Sequence, residues 1–157
     1  MRLVARLIWS MTLFLLLASM AGAQTLDKKV LSLEAAKKIA AAAEVAAREK
    51  GVGVVIAVVD DGGHLILLHR LDDTQVASVN VGIGKARTAA IYRRPSKDFE
   101  DQIRAGRVAA LALADSTPLQ GGVPIKLDGK VIGAVGVSGD TPQVDEGIAI
   151  AGANAFR

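Results

Sequence analysis

Two histidines are the only imidazole donors in the chain, and their spacing limits the metal chemistry that they could support. His64 and His69 lie five positions apart in a segment whose apolar pattern predicts one strand. Because successive side chains of a strand point to opposite faces, this odd separation places the two rings apart. A bis-histidine site for zinc or non-haem iron within one chain would therefore require a bulge. Two interpretations stay open for each ring: a single axial ligand of haem iron, or a polar residue at a strand end or subunit contact.

A second group of candidate residues lies in the stretch G-K-A-R-T-A-A, at positions 84–90. Lys85, Arg87 and Thr88 share one predicted helix, and the two cations could recognise carboxylates such as haem propionates or an organic acid. A solvated helix face would explain the same charges. The stretch is not a nucleotide-binding P-loop, since Ala86 follows the lysine where Ser or Thr is required.

The composition excludes several classes of function. Without cysteine the chain cannot form disulfides, iron–sulfur clusters, zinc–thiolate sites or a catalytic thiolate. Beyond residue 23 the only aromatic residues are Tyr92, Phe99 and Phe156, too few for a platform on which bases could stack. We therefore expect no nucleic-acid partner.

The first 23 residues have the pattern of a secretory signal peptide. Arg2 and Arg6 precede an apolar run at positions 7–17, and Ala21-Gly22-Ala23 is typical of a cleavage site before Gln24. The alternative is an uncleaved membrane anchor, for which the apolar run is short. We predict a periplasmic or secreted protein that consists of one domain, residues 24–157, and is free of the membrane after cleavage.

Cleavage also changes the charge balance. Without Arg2 and Arg6, the 19 basic side chains fall to 17, against 16 acidic ones. The remaining chain is nearly neutral, which gives no reason to expect a polyanionic partner.

The hydrophobic pattern predicts an α+β fold with hairpins and no βαβ alternation, hence an antiparallel sheet packed against helices. Val108–Ala114 is ambiguous, and we predict a strand there. Asp128-Gly129 predicts a tight hairpin turn. The predicted elements are a helix from Ser32 to Gly51, strands at Val52–Val59 and His64–Leu71, a helix at Val76–Tyr92, a helix from Ser96 to Gly106, strands at Val123–Leu127 and Lys130–Val137, and a helix beginning at Thr141-Pro142.

Three motifs carry a resemblance to a known family. They are A-V-V-D-D-G-G-H-L at 57–65, G-K-A-R-T-A-A at 84–90, and G-G-V-P-I with D-G-K-V-I-G-A-V-G-V-S-G between 121 and 139, followed by Asp145. In this order they resemble the GlcG/HbpS-like haem-binding proteins, which include the C-terminal domain of PduO-type corrinoid adenosyltransferases.

The resemblance implies a profilin-like antiparallel sheet of about five strands and a homo-oligomer. It also implies haem as the cofactor, captured or sensed, with His64 or Thr88 near the iron and Lys85 and Arg87 on the propionates. His64 is the candidate ligand of the iron.

Two other functions stay open at this point. One is a small-molecule enzyme, an isomerase or hydrolase, that acts on an organic anion in the same groove. The other is a purely structural oligomer subunit, which the many Ala and Gly residues would suit. The sequence does not decide whether the protein is an enzyme.

Overall fold

A computed structural model describes residues 26–156, so the predicted signal peptide at 1–23 lies outside the described residues. No helix within 26–156 has the length and apolar character needed to cross a bilayer. The elements are α1 (Leu33–Glu49), β1 (Val55–Asp60), β2 (Leu65–Arg70), α2 (Ser78–Ile91), α3 (Lys97–Arg104), a 3₁₀ helix (Val108–Ala112), β3 (Gly122–Leu127), β4 (Lys130–Ser138) and α4 (Pro142–Asn154).

The strands form one antiparallel sheet in the order β2-β1-β4-β3. β1 and β4 are central because they are apolar on both faces, and every residue from Val55 to Val59 is fully buried. This confirms the predicted α+β fold with an antiparallel sheet. The sheet has four strands in the described part of the chain, where about five were expected.

The difference lies at Val108–Ala114, where the strand prediction is wrong. Val108–Ala112 forms a 3₁₀ helix, held by bonds such as Ala110 N to Arg107 O at 3.1 Å. Val108 and Leu111 are 64% and 63% exposed. A short apolar run does not by itself distinguish a strand from a helical turn, and in the described structure this run pairs with none of the four strands.

Helices cover both faces of the sheet, with different side chains in the two interfaces. α1 and α4 pack on one face over a core that includes Ile39, Ile56 and Ile148. α2 packs on the other face through alanines, such as Ala86 against Ala134. Small residues allow α2 to approach the sheet closely.

The turns and caps follow from local sequence. Asp128 and Gly129 have φ of +50° and +76°, the positive values that the predicted tight turn requires. Ser32 caps α1 by accepting a bond from Ala35 N, and Thr141 caps α4 in the same way ahead of Pro142.

Candidate functional site

The turn between β1 and β2 presents His64 at one end of the sheet. The chain reverses through Asp60–Gly63, with Asp60 N donating to His64 O at 2.9 Å and Gly63 N donating to Asp60 O at 3.1 Å. Gly63 has φ of +80°, which glycine adopts at no steric cost. His64 therefore lies just before β2, and its side chain is 80% exposed.

Asp60 orients the His64 ring. Its Oδ1 accepts bonds from Gly62 N at 2.9 Å and His64 N at 2.8 Å, and its Oδ2 lies 3.3 Å from His64 Nδ1. Burial would raise the pKa of Asp60, but the hydrogen bonds from His64 and Gly62 outweigh it and lower that pKa. A carboxylate beside Nδ1 favours the tautomer with its proton on Nδ1, which leaves the Nε2 lone pair free for a metal.

Arg87 is joined to this turn from helix α2. Its Nε donates to Gly63 O at 3.2 Å, and the side chain is half-buried. Leu65, 48% exposed, follows His64 and adds an apolar surface. The structure thus brings two of the four predicted site residues, His64 and Arg87, to one place. We call the group of Asp60, His64, Leu65 and Arg87 the histidine corner.

Lys85, the third predicted site residue, points into the protein interior. Its side chain is 5% exposed, and Nζ donates to Asp145 Oδ2 at 2.8 Å and to Val137 O at 3.0 Å. Asp145 also accepts a bond from Asp140 N. Burial raises the pKa of Asp145, and the Lys85 ammonium opposes that rise. The geometry gives Lys85 a structural partner and directs it away from the histidine corner.

Thr88, the fourth predicted site residue, is also fully buried. Its hydroxyl donates to Gly84 O at 2.8 Å and accepts a bond from Thr117 N at 2.7 Å. The side chain fastens the segment before β3 to helix α2. In this arrangement the hydroxyl faces backbone groups of the same chain.

His69 belongs to a different cluster from His64. Its Nδ1 lies 3.1 Å from Glu44 Oε2 on α1, and Glu44 also binds Arg48. The hydrogen bond from Arg48, supported by His69, lowers the pKa of Glu44. Across residues 26–156 no three His, Cys, Asp or Glu side chains converge so that they could hold a metal ion.

The contact between Asp60 and His64 was not predicted from the sequence. The signal that could have revealed it is the i, i+4 spacing in D-D-G-G-H, because a tight reversal brings positions 60 and 64 face to face. The partner of Lys85 was missed as well. Asp145 is 60 positions away, and only the packing of α2 and α4 around the sheet shows the contact.

Comparison of the chain with known proteins finds a matching family and similar proteins. A family model described as "Haem degrading protein HbpS-like" matches residues 31–154. Protein GlcG of Escherichia coli (strain K12) is 45% identical over 111 residues, which cover 71% of this chain and 83% of that protein.

Solved structures show the same fold. The crystal structure of HbpS has a TM-score of 0.79 and 31% identity, covering 85% of this chain and 94% of that chain. The crystal structure titled as a complex of PduOC with heme has a TM-score of 0.74 and 25% identity, covering 81% of this chain and 95% of that chain.

Proposed function

Because the chain belongs to the HbpS-like family, we propose that it is an exported haem-binding protein that holds haem at the histidine corner. The observation that carries the proposal is the imidazole of His64, 80% exposed with its Nδ1 beside Asp60. Haem iron needs a single axial protein ligand, and a histidine oriented by a carboxylate is a common one. The similarity to a haem complex of PduOC supports the same ligand.

The residues of the corner suit haem in three respects. His64 Nε2 would hold the iron. Arg87 uses Nε on Gly63 O, so its terminal nitrogens can still meet a propionate, for which a guanidinium is well shaped. Leu65, 48% exposed, offers an aliphatic surface to the porphyrin plane.

In this proposal Lys85 and Thr88 act one step away from the ligand. Both are on α2, the helix that carries Arg87, and both are bonded inside the protein. They hold the helix in position against β4, α4 and the segment before β3. The bound haem itself would supply the redox-active iron, and the chain would position it.

The exposure of His64 further suggests that the corner is completed by a second copy of the chain. A flat and largely apolar ligand binds most tightly when the protein covers both of its faces, because more of its apolar surface is then removed from water. A homo-oligomer with the corner at a subunit contact would provide that cover. We propose capture or sensing of haem outside the cytoplasm as the role, which the signal-peptide pattern at 1–23 supports.

Titration of the purified protein with hemin tests the proposal. We expect a shifted Soret band that saturates at a fixed ratio of haem to chain. His64→Ala should weaken binding at least tenfold, and His69→Ala, which removes the other imidazole, should leave the spectrum unchanged. Absence of a Soret shift in the unaltered protein, or an unchanged spectrum in His64→Ala, would contradict the proposal.

A further inference from the structure

A cavity of about 800 Å³ lies at the edge of the described chain, separate from the side chains of the histidine corner. Residues 26–29 line one part of it; they belong to the leader, which we define as residues 26–32, ahead of α1. Residues 126–132 of the β3–β4 hairpin line another part, and Asp61 and Arg93 complete the lining. A volume of this size is typical of sites that hold small organic molecules, for which 300–1,000 Å³ is roughly the usual range.

Positive charge dominates the lining, with five basic and three acidic side chains. Lys28 is paired with Asp61 at 2.7 Å, which links the leader to the β1–β2 turn. The other four cations that line the cavity have no carboxylate within 4.0 Å among the residues that the structure describes. These four are Lys29, Arg93, Lys126 and Lys130.

The backbone of Arg93 has a left-handed conformation, which is unfavourable for a residue with a side chain. It lies immediately after the C-cap of α2 with φ of +57°, where glycine is the usual residue. Four residues other than glycine have a positive φ in the described chain, and Arg93 is the one among them with a cationic side chain. An arginine at this position directs a guanidinium to the cavity that glycine could not supply.

The rest of the lining is apolar. Leu127, Val131 and Ile132 line the cavity from the β3–β4 hairpin, and Leu127 and Ile132 continue into the main core. A bare inorganic anion would leave this surface without a partner. A ligand with a hydrocarbon body would cover it and gain from its removal from water.

We propose that this cavity binds a small organic anion, a carboxylate on an aliphatic body. The carboxylate would lie among Arg93, Lys126 and Lys130, and the aliphatic body would lie against Leu127 and Val131. The site is distinct from the haem site proposed above, because His64 and Arg87 are not part of its lining.

Titration with octanoate, followed by calorimetry and by amide chemical shifts, tests this inference. We expect saturable binding of octanoate, and binding of acetate and inorganic phosphate at least tenfold weaker. The triple variant Arg93→Gln, Lys126→Gln, Lys130→Gln should weaken octanoate binding at least tenfold. A matched variant with Lys37→Gln and Lys97→Gln, two cations on other surfaces, should bind octanoate as the unaltered protein does.

Two further measurements separate this site from the haem site. His64→Ala should bind octanoate unchanged, and saturating hemin should not displace it. The inference would be overturned by absent or non-saturable octanoate binding, by tighter binding of phosphate, by an unaffected triple variant, or by displacement with hemin. The unaltered protein, the triple variant and the matched control should give the same thermal unfolding midpoint within a few degrees. If the triple variant is unfolded, the single variant Lys130→Gln should weaken octanoate binding. Unchanged octanoate binding by that single variant would overturn the inference.

Discussion

Nζ of Lys85 lies 2.8 Å from Oδ2 of Asp145, and this buried ion pair joins helices that cover opposite faces of the sheet. Lys85 is on α2 and Asp145 is in the first turn of α4. Nζ also donates to Val137 O in β4. One side chain therefore connects both helical layers and the central strand between them.

Loss of one partner of this ion pair should strongly destabilise the folded protein. Lys85→Met leaves the Asp145 carboxylate buried without its counter-ion, and we expect the free energy of unfolding to fall by about 3–5 kcal/mol. Urea unfolding at pH 7 measures the change. Lys97→Met, which removes a lysine from a solvent-exposed surface pair, should change the free energy of unfolding far less and serves as the control.

The double variant Lys85→Met, Asp145→Leu tests whether charge or packing is responsible. Removal of both charges avoids the unpaired carboxylate, so the double variant should be more stable than Lys85→Met alone. An equal or greater loss in the double variant would show that the ion pair does not cause the effect.

Close approach of α2 to β4 predicts opposite effects for two glycine substitutions. A Cβ on Gly136 would collide with Gly82 O and the backbone of Ala86, so Gly136→Ala should cost about 1–3 kcal/mol or more. Gly147 is exposed within α4 and meets nothing within 4 Å, so Gly147→Ala should stabilise by about 0.5–1 kcal/mol. Thermal unfolding compares the two, and equal midpoints would contradict the packing described.

The contacts of Asp60 predict a pH-dependent contribution to stability. The folded pKa of Asp60 is lowered below its ordinary 3.8, so the ionised form is favoured by folding. The contribution is present above the unfolded pKa and is lost as the pH falls through the folded pKa. Asp60→Asn should therefore be less stable than the unaltered protein at pH 7, and the difference should disappear at strongly acid pH.

Urea unfolding at pH 7, 5 and 3 measures this dependence. Asp27→Asn, which alters an exposed carboxylate of the leader, should follow the unaltered protein at every pH. A stability difference for Asp60→Asn that stays constant down to pH 3 would show that its charge is not involved.

The position of Arg87 predicts a role in affinity for haem but not in ligation of the iron. Arg87→Gln should weaken hemin binding about tenfold through loss of a charged partner for a propionate, while the Soret position of the bound form stays unchanged. Arg104→Gln, an exposed arginine on α3, is the control. A shifted Soret maximum in Arg87→Gln would instead place this residue near the iron.

Residues whose environment is local could be predicted from the sequence. The caps at Ser32 and Thr141 and the turn at Asp128-Gly129 depend on a few neighbouring residues, and the structure has all three. Val108–Ala114 could not be assigned in this way, because an apolar run of that length adopts a strand only if a sheet edge is available to it.

The sequence alone determined the α+β class, the central position of β1 and β4 and the antiparallel hairpins, since these follow from apolar periodicity and turn residues. Only the tertiary structure decided that Lys85 and Thr88 face inward while His64 and Arg87 meet at one corner. All four residues have polar side chains, and the residue type alone does not show whether such a side chain points into the protein or out to solvent. A helix such as α2 has polar groups on more than one face. Which of these faces is buried is decided only when the sheet, Asp145 and Thr117 pack against the helix.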